Sequence, residues 1–94
     1  MRLVFRVEAT EDLRRIASET RRAWGDDQAK RYVAALRNEI ITLREFPLRF
    51  PEFEPRPGLR RMNSGRHAVI YLVSDDRIEV VRVLHVASDL GRWV

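Results

Sequence analysis

Two apolar runs in the last third form the strongest hydrophobic pattern of the chain. They cover positions 67–73 and 78–86, are rich in β-branched residues, and flank the polar tetrad Ser74-Asp75-Asp76-Arg77. Runs of this length and composition are typical of β-strands, and serine and aspartate are typical of the turn between them. Neither run alternates cleanly between apolar and polar residues, so we expect both strands to lie inside a sheet. The pattern predicts a β-hairpin that turns at Asp75-Asp76.

Helical periodicity dominates the first half of the chain, after a short apolar strand over 3–7. Thr10 is a candidate N-cap for a first helix, and Gly25 is a candidate stop signal. A second helix, capped by Asp26 or Asp27, carries apolar residues at steps of three and four. Its apolar stripe consists of Ala29, Tyr32, Val33, Leu36, Ile40 and Leu43. Because so few residues join the two helices, we expect an antiparallel helical hairpin.

The middle of the chain changes character, since all four prolines lie between Phe46 and Gly58. Proline is poorly tolerated in helix interiors and central strands, so this segment is expected to be a loop. A short strand over 59–62 then leads into the hairpin. The resulting order is β-α-α-β-β-β in a single domain over 1–94. We therefore predict an α+β fold, with an N-terminal strand and a helical hairpin packed on a curved, mostly antiparallel sheet.

Composition narrows the class of protein. Hydrophobic residues make up 45% of the 94 residues and charged residues 34%, which is typical of a globular domain. No apolar run is long enough to span a membrane, and the N-terminus does not resemble a signal peptide. The absence of cysteine excludes disulfides, thiolate metal sites and cysteine nucleophiles. These features favour a cytoplasmic protein without a membrane partner.

The formal net charge is +4, and Lys30 is the only basic residue besides the arginines and histidines. The arginine bias is explained most simply by genomic base composition. A basic protein nonetheless suits acidic partners, whether nucleic acid or an acidic protein segment.

The sequence contains few candidates for catalysis. His67 and His85 are the only histidines, and a turn at Asp75-Asp76 would place His67 opposite Leu84 and point the two rings to opposite faces. Histidines on opposite faces cannot share a metal. No nucleophile elbow, glycine-rich phosphate loop or paired acid and base is present. We therefore expect no metal, no cofactor and no catalytic residue.

The arginines of the last third leave alternatives open. Arg82 lies in an apolar strand, so it either forms a buried ion pair, which we favour slightly, or faces a functional groove. A basic cluster of Arg60, Arg61 and Arg66 at the entry to the hairpin is compatible with phosphate binding, or with the protection of an exposed sheet edge.

Six short motifs occur in a characteristic order along almost the full length of the chain. They are Glu11-Asp12-Leu13 with Ile16; Trp24-Gly25-Asp26-Asp27-Gln28-Ala29 with Tyr32 and Leu36; Leu43 with Phe46-Pro47; Pro57-Gly58-Leu59-Arg60; Gly65-Arg66-His67 with Ile70-Tyr71; and Ile78-Glu79-Val80-Val81-Arg82-Val83-Leu84-His85 with Asp89-Leu90. Together they resemble the ParE-type toxins of the RelE/ParE superfamily. The family fold, a helical hairpin on a curved antiparallel sheet, agrees with the predicted element order.

The resemblance implies a toxin that inhibits DNA gyrase and is wrapped and neutralised by a ParD-like antitoxin in a hetero-oligomer. The toxin alone is not expected to bind DNA sequence-specifically. The residues expected to contact the antitoxin are Leu13, Ile16, Tyr32, Leu36, Arg60 and Arg61. The residues expected to contact the target are Arg66, Arg82, His85, Arg92 and Trp93.

One departure from the family pattern lies after His85, where Val86-Ala87-Ser88-Asp89 replaces the common Gly-Ala-Arg-Asp and removes a basic residue. Two alternatives remain at this point. The first is a RelE-like endonuclease that cuts messenger RNA on the ribosome, although the C-terminal segment lacks the tyrosine and lysine expected for that chemistry. The second is a degenerate toxin that only binds its antitoxin.

Overall fold

The computed structural model describes residues 1–94 and has the predicted α+β architecture. Its elements in chain order are β1 (Arg2–Phe5), α1 (Val7–Trp24), α2 (Asp26–Ile41), a 3-10 turn (Thr42–Arg44), β2 (Arg60–Ser64), β3 (His67–Val73), β4 (Arg77–His85) and the short α3 (Leu90–Trp93). The predicted order β-α-α-β-β-β is confirmed, with the 3-10 turn and α3 as additions. Neither long helix has the apolar length that crossing a bilayer requires.

The sheet has the strand order β1-β4-β3-β2. β1 pairs in parallel with β4, whereas β2–β3 and β3–β4 are antiparallel, so the prediction of a mostly antiparallel sheet is confirmed. The two helices between β1 and β2 provide the crossover that carries the chain from one edge of the sheet to the other.

The register of the β3–β4 hairpin differs from the prediction. Near the turn, Tyr71 lies opposite Val80 as expected, but the register shifts between Ile70 and Tyr71, and Ile70 lies opposite Arg82. Val81 is the extra residue of this β-bulge. The predicted pairing of His67 with Leu84 is therefore wrong, and His67 lies opposite His85.

Helix α1 begins three residues before the predicted cap. The amide of Arg6 donates to the carbonyl of Val80, and the carbonyl of Arg6 accepts from the amide of Thr10. Arg6 thus ends the strand pairing and starts the helix, so Thr10 lies inside the first turn. Val7, predicted as part of the strand, is an exposed helical residue.

The helices and the sheet enclose the main core. The predicted stripe of α2 faces this core, and Gly25 alone joins the two helices at φ 90°, a left-handed conformation that favours glycine. The buried members of the core are Ala9, Leu13, Ile16, Leu36, Ile40, Leu43, Met62, Val69, Tyr71, Ile78, Val80 and Val83.

A second, smaller core forms where the proline-rich loop and α3 pack against other residues of the sheet. Its buried members are Phe53, Ala68, Ile70, Val81, Leu84 and Leu90. The ring of Trp93 stacks on Phe53 at a centroid distance of 6.4 Å, and Arg56 lies 4.1 Å from the centroid of the Trp93 ring. This cluster attaches the C-terminal segment to the sheet.

Candidate functional site

Both histidines line one cleft of about 320 Å³ between the helical hairpin and the ends of β3 and β4. We call it the histidine cleft. The helices supply one wall, and the β2–β3 turn and the two histidines supply the other. The lining residues are Ile16, Glu19, Thr20, Ala23, Trp24, Gln28, Tyr32, Arg66, His67 and His85.

A hydrogen-bonded chain fixes the protonation of His67. The backbone amide of Arg66 donates to the Tyr32 hydroxyl at 3.0 Å, and that hydroxyl lies 2.6 Å from Nδ1 of His67. Since the hydroxyl oxygen accepts from Arg66, its own hydrogen is available for His67, which makes Nδ1 the acceptor. The proton of the neutral imidazole is therefore on Nε2.

Gly65 allows the Tyr32 hydroxyl to come this close to the turn. Its φ of 55° is in the left-handed region, and a Cβ atom there would lie 2.7 Å from the hydroxyl oxygen. A glycine is therefore required for both the backbone conformation and the space. The β2–β3 turn and helix α2 are joined at this point by the Tyr32 side chain.

Burial lowers the pKa of His67 from 6.5 to about 4, and the neighbouring His85 adds to the decrease. The two rings meet edge to face, with centroids 5.3 Å apart. The nearby cations Arg15 and Arg66 act in the same direction, whereas Asp89 opposes it. His67 is therefore neutral at physiological pH and remains an acceptor for Tyr32.

This pKa predicts loss of stability in weak acid. In the unfolded chain His67 takes up a proton as the pH falls through about 6.5, but in the folded protein it does so only near pH 4. The stabilisation is thus complete above pH 6.5 and decreases as the pH falls towards 4. We expect His67→Gln to flatten the dependence of the melting temperature on pH between 6.5 and 4. An equally steep dependence in that variant would contradict the assignment.

His85 has a different environment from His67. Its Nδ1 accepts from the amides of Ala87 and Ser88 at 3.2 and 3.3 Å, and its own amide donates to the Asp89 carboxylate at 3.2 Å. The prediction that the two histidines lie on opposite faces is wrong, because the bulge at Val81 brings them together. No group of three or more histidine, cysteine or acidic side chains is arranged to hold a metal ion.

A second depression adjoins the histidine cleft through His85 and Asp89. We call it the tail cleft, and it is lined by Arg15, Arg82, Leu84, Asp89, Arg92 and Trp93. Of the predicted target contacts, Arg66 and His85 thus lie in the histidine cleft, and Arg82, Arg92 and Trp93 in the tail cleft. The five residues lie in two adjoining depressions.

Arg82 forms the ion pair favoured from the sequence. Its Nε and Nη2 atoms donate to the two carboxylate oxygens of Asp12 at 2.8 and 3.0 Å. Asp12 is only 1% exposed, and it also accepts from the amide of Val83 at 2.9 Å and from Arg15 at 3.0 Å. The hydrogen bonds with Asp12 raise the pKa of Arg82 further, so the guanidinium stays charged.

Asp12 has this role because β1 pairs with β4 only as far as Val80. Beyond that point the edge of β4 is free, and the Asp12 carboxylate takes the place of a strand carbonyl for the amide of Val83. In the sequence Asp12 stands out only as part of the Glu11-Asp12-Leu13 motif. An aspartate among the apolar positions of α1 was the signal that it is buried.

The predicted antitoxin contacts separate into buried and accessible residues. Leu13, Ile16 and Leu36 are at most 4% exposed and belong to the main core. They expose almost no surface, because the helical stripes to which they belong face the sheet, and of the three only Ile16 also lines the histidine cleft. Their contact with the antitoxin stays a prediction. Arg60 and Arg61 remain partly accessible at the sheet edge.

The side chains of the other three predicted antitoxin contacts form hydrogen bonds with neighbouring groups of the toxin. Tyr32 is half-buried and engaged with His67. Arg60 donates to the carbonyl of Phe50 at 2.6 Å, and Arg61 donates to the Asn63 side chain at 2.9 Å. Both arginines are thus positioned along the edge strand β2.

An accessible groove lies between the two helices. We call it the helical groove; it measures about 420 Å³. It combines small apolar side chains with basic ones and a single acid, and is lined by Ala17, Arg21, Asp26, Ala29, Lys30, Val33, Ala34 and Arg37. Such a lining suits an amphipathic segment with acidic flanks.

Comparison with known proteins places the chain in a family. The family model described as "ParE toxin of type II toxin-antitoxin system, parDE" matches residues 3–90. Toxin ParE1 of Caulobacter vibrioides is 38% identical over 78 residues, covering 82% of this chain and 80% of the relative. Toxin ParE of Escherichia coli is 36% identical over 89 residues, covering 93% and 86%.

A further relative and a solved structure agree with this assignment. Toxin ParE1 of Mycobacterium tuberculosis is 38% identical over 71 residues, covering 73% of this chain and 72% of the relative. The structure titled "Chromosomal ParDE TA system from P. aeruginosa" superposes with a TM-score of 0.82 at 19% identity, covering 92% of this chain and 96% of that one, which shows the shared fold. The chain therefore belongs to the ParE toxin family of type II toxin–antitoxin systems and is a non-enzymatic toxin.

Proposed function

We propose that this toxin acts in the cytoplasm by inhibiting DNA gyrase and that a ParD-like antitoxin neutralises it in a hetero-oligomeric complex. The proposal is supported by membership of the ParE family and by the ParDE system among the matching structures. The observation that carries it is the gathering of Arg66, Arg82, His85, Arg92 and Trp93 around two adjoining clefts.

The target surface in this proposal consists of the histidine cleft and the tail cleft. Arg92 is exposed and has no ion-pair partner, whereas Arg82 is held by Asp12. Arg82 thus shapes the surface and contributes positive charge, and Arg92 is free to contact the target. Trp93 adds an aromatic side chain of the kind enriched at binding hot spots.

The antitoxin surface in this proposal consists of the helical groove and the edge of β2. An amphipathic antitoxin helix places its apolar face on Val33 and Ala34, which are accessible in the groove. Its carboxylates meet Arg21, Lys30 and Arg37 at the rim. Arg60 and Arg61 then contact acidic residues that run along the sheet edge. The helical groove and the edge of β2 share no lining residue with the two clefts of the target surface.

The proposal is tested with purified toxin and the product of the neighbouring reading frame. We expect free toxin to inhibit gyrase supercoiling and to cause accumulation of cleaved DNA, and the co-purifying antitoxin to reverse both effects. Toxin that is folded but leaves gyrase unaffected at large excess, while binding its antitoxin, would favour the degenerate toxin. Cleavage of messenger RNA on translating ribosomes by the purified toxin would contradict the proposal.

A further inference from the structure

The side chain of Arg66 forms neither a hydrogen bond nor an ion pair within the protein, although the residue lines a cleft. Its guanidinium lies 5.4 Å from the centroid of the Trp24 ring, and Trp24 is 58% exposed. Stacking on an indole orients the guanidinium but leaves its N–H edge free. Arg66 is therefore a positioned donor whose acceptor is missing from the protein itself.

The two histidines add donors on the same wall of the cleft. Nδ1 of His67 is occupied by Tyr32, and Nδ1 of His85 accepts from two backbone amides, so in each ring Nε2 is the nitrogen left to donate. No buried side-chain nitrogen or oxygen lacks a hydrogen-bond partner. Since neither Nε2 atom has a partner within the protein, both are accessible to solvent.

The remaining lining of the cleft limits what can enter. Ile16, Ala23 and Trp24 provide apolar surface. Glu19 is the one acidic lining residue; its side chain is 58% exposed and lies 3.9 Å from Arg15, so it is at the rim and partly compensated. A guanidinium and two imidazole N–H groups beside apolar side chains suit a carboxylate on a short aliphatic stem.

The position of the cleft connects it to the helical groove. Trp24 lines the histidine cleft, and Arg21 and Asp26, on either side of the Trp24-Gly25 junction, line the helical groove. A segment that leaves the groove at this end of the helical hairpin reaches the histidine cleft by passing around the junction. Both depressions therefore extend to the hairpin junction.

We propose that the antitoxin passes around the hairpin junction and inserts one glutamate or aspartate side chain into the histidine cleft. Arg66 and the Nε2 groups of His67 and His85 bind its carboxylate, and Trp24 covers its stem. The inference rests on the proposed antitoxin partner and adds the chemistry of a single anchoring residue. Antitoxin bound there would also cover Arg66 and His85, which belong to the proposed target surface.

The first experiment is a double-mutant cycle between toxin and antitoxin. We expect Arg66→Gln to weaken antitoxin binding at least about tenfold, the factor that corresponds to one well-formed charged contact. One acidic antitoxin residue, replaced by its amide, should have a similar effect on the wild-type toxin and little further effect on the Arg66→Gln toxin. Arg14→Gln, which removes the same charge from an exposed helical arginine that forms no ion pair, is the matched control.

The second experiment tests the cleft without an antitoxin. We expect the Nε2 nuclear magnetic resonances of His67 and His85 to respond to sodium glutarate more than to sodium chloride of equal ionic strength. The response should disappear in Arg66→Gln and persist in Arg14→Gln. A stronger, saturable response to a thymidine oligonucleotide than to glutarate would overturn the proposal in favour of nucleic acid.

The two experiments separate the failure of this inference from the failure of the proposed function. Equal antitoxin affinity of Arg66→Gln and Arg14→Gln would overturn the carboxylate pocket and leave the toxin–antitoxin pair intact. If no antitoxin binds the toxin, the proposed neutralisation by an antitoxin is wrong. The proposal for antitoxin binding in the cleft is then wrong as well. Thermal unfolding of both variants beforehand ensures that folded proteins are compared.

Discussion

Asp12→Ala is expected to lower the free energy of unfolding by about 3–5 kcal/mol, the range typical of breaking a buried ion pair. The carboxylate binds Arg82 through both oxygens and is also the acceptor for the amide of Val83. Its removal leaves a guanidinium without its counter-charge and a backbone donor without a partner. Against a net stability of about 5–15 kcal/mol, typical of proteins in general, this loss is large.

Urea unfolding monitored by circular dichroism measures the effect of Asp12→Ala. The matched control is Asp26→Ala, since Asp26 is an exposed helical aspartate whose nearest cation, Arg21, lies at 3.9 Å. An exposed pair of this kind contributes at most about 1 kcal/mol. Equal unfolding midpoints for the two variants would show that the buried pair does not hold α1 against the edge of β4.

The hydrophobic periodicity of the sequence predicts the buried side of a helix but not the partners of a buried charge such as Asp12. The apolar stripe of α2 was predictable because a helix buried on one side repeats its apolar residues at steps of three and four, and the sheet covers that side. Asp12 interrupts the same kind of stripe in α1. Its partners, Arg82 and Val83, lie 70 and 71 residues away, and no local pattern predicts such a pairing.

The register of the β3–β4 hairpin shows a second limit. The turn correctly predicts the pairs next to it, Tyr71 with Val80 and Val73 with Ile78. The bulge at Val81 then moves every later pair by one residue, because two residues of β4 oppose one of β3. Val81 is apolar like its neighbours, and packing into the second core accommodates the extra residue. The composition of the strand therefore contains no sign of the bulge.

The histidine cleft was missed for the same reason. The bulge places His67 opposite His85. The Tyr32 hydroxyl and Arg66, in the β2–β3 turn, then complete the cleft. In the sequence Trp24 stands out only as the first residue of the Trp24–Ala29 motif, although its side chain is more than half exposed in the structure. A tryptophan next to a helix-ending glycine, at the junction of two helices, was the available signal for a surface role.

Removal of residues 90–94 is the second change with a large expected effect. If Arg92 and Trp93 only contacted the target, as the sequence analysis expects, this deletion would abolish toxicity and leave the antitoxin complex intact. In the structure Leu90 is buried, and Trp93 is half-buried between Phe53 and the guanidinium of Arg56. Arg56 also donates to the carbonyl of Trp93 at 2.8 Å. Deletion therefore uncovers the second core and is expected to cost about 3–5 kcal/mol of stability, comparable to the loss of a large buried side chain.

The deletion changes both the stability of the toxin and its proposed target surface. Arg92→Gln changes the surface alone, so it distinguishes the two causes of lost toxicity. Arg92 is exposed and has no ion-pair partner, so its replacement should change the melting temperature little. If the tail cleft contacts gyrase, this variant should inhibit supercoiling less strongly at unchanged antitoxin affinity. Arg49→Gln, which removes an exposed arginine from the proline-rich loop, is the control for loss of charge. If Arg92→Gln and Arg49→Gln both inhibit gyrase like the wild type, then the toxicity lost on deleting the tail comes from unfolding of the second core.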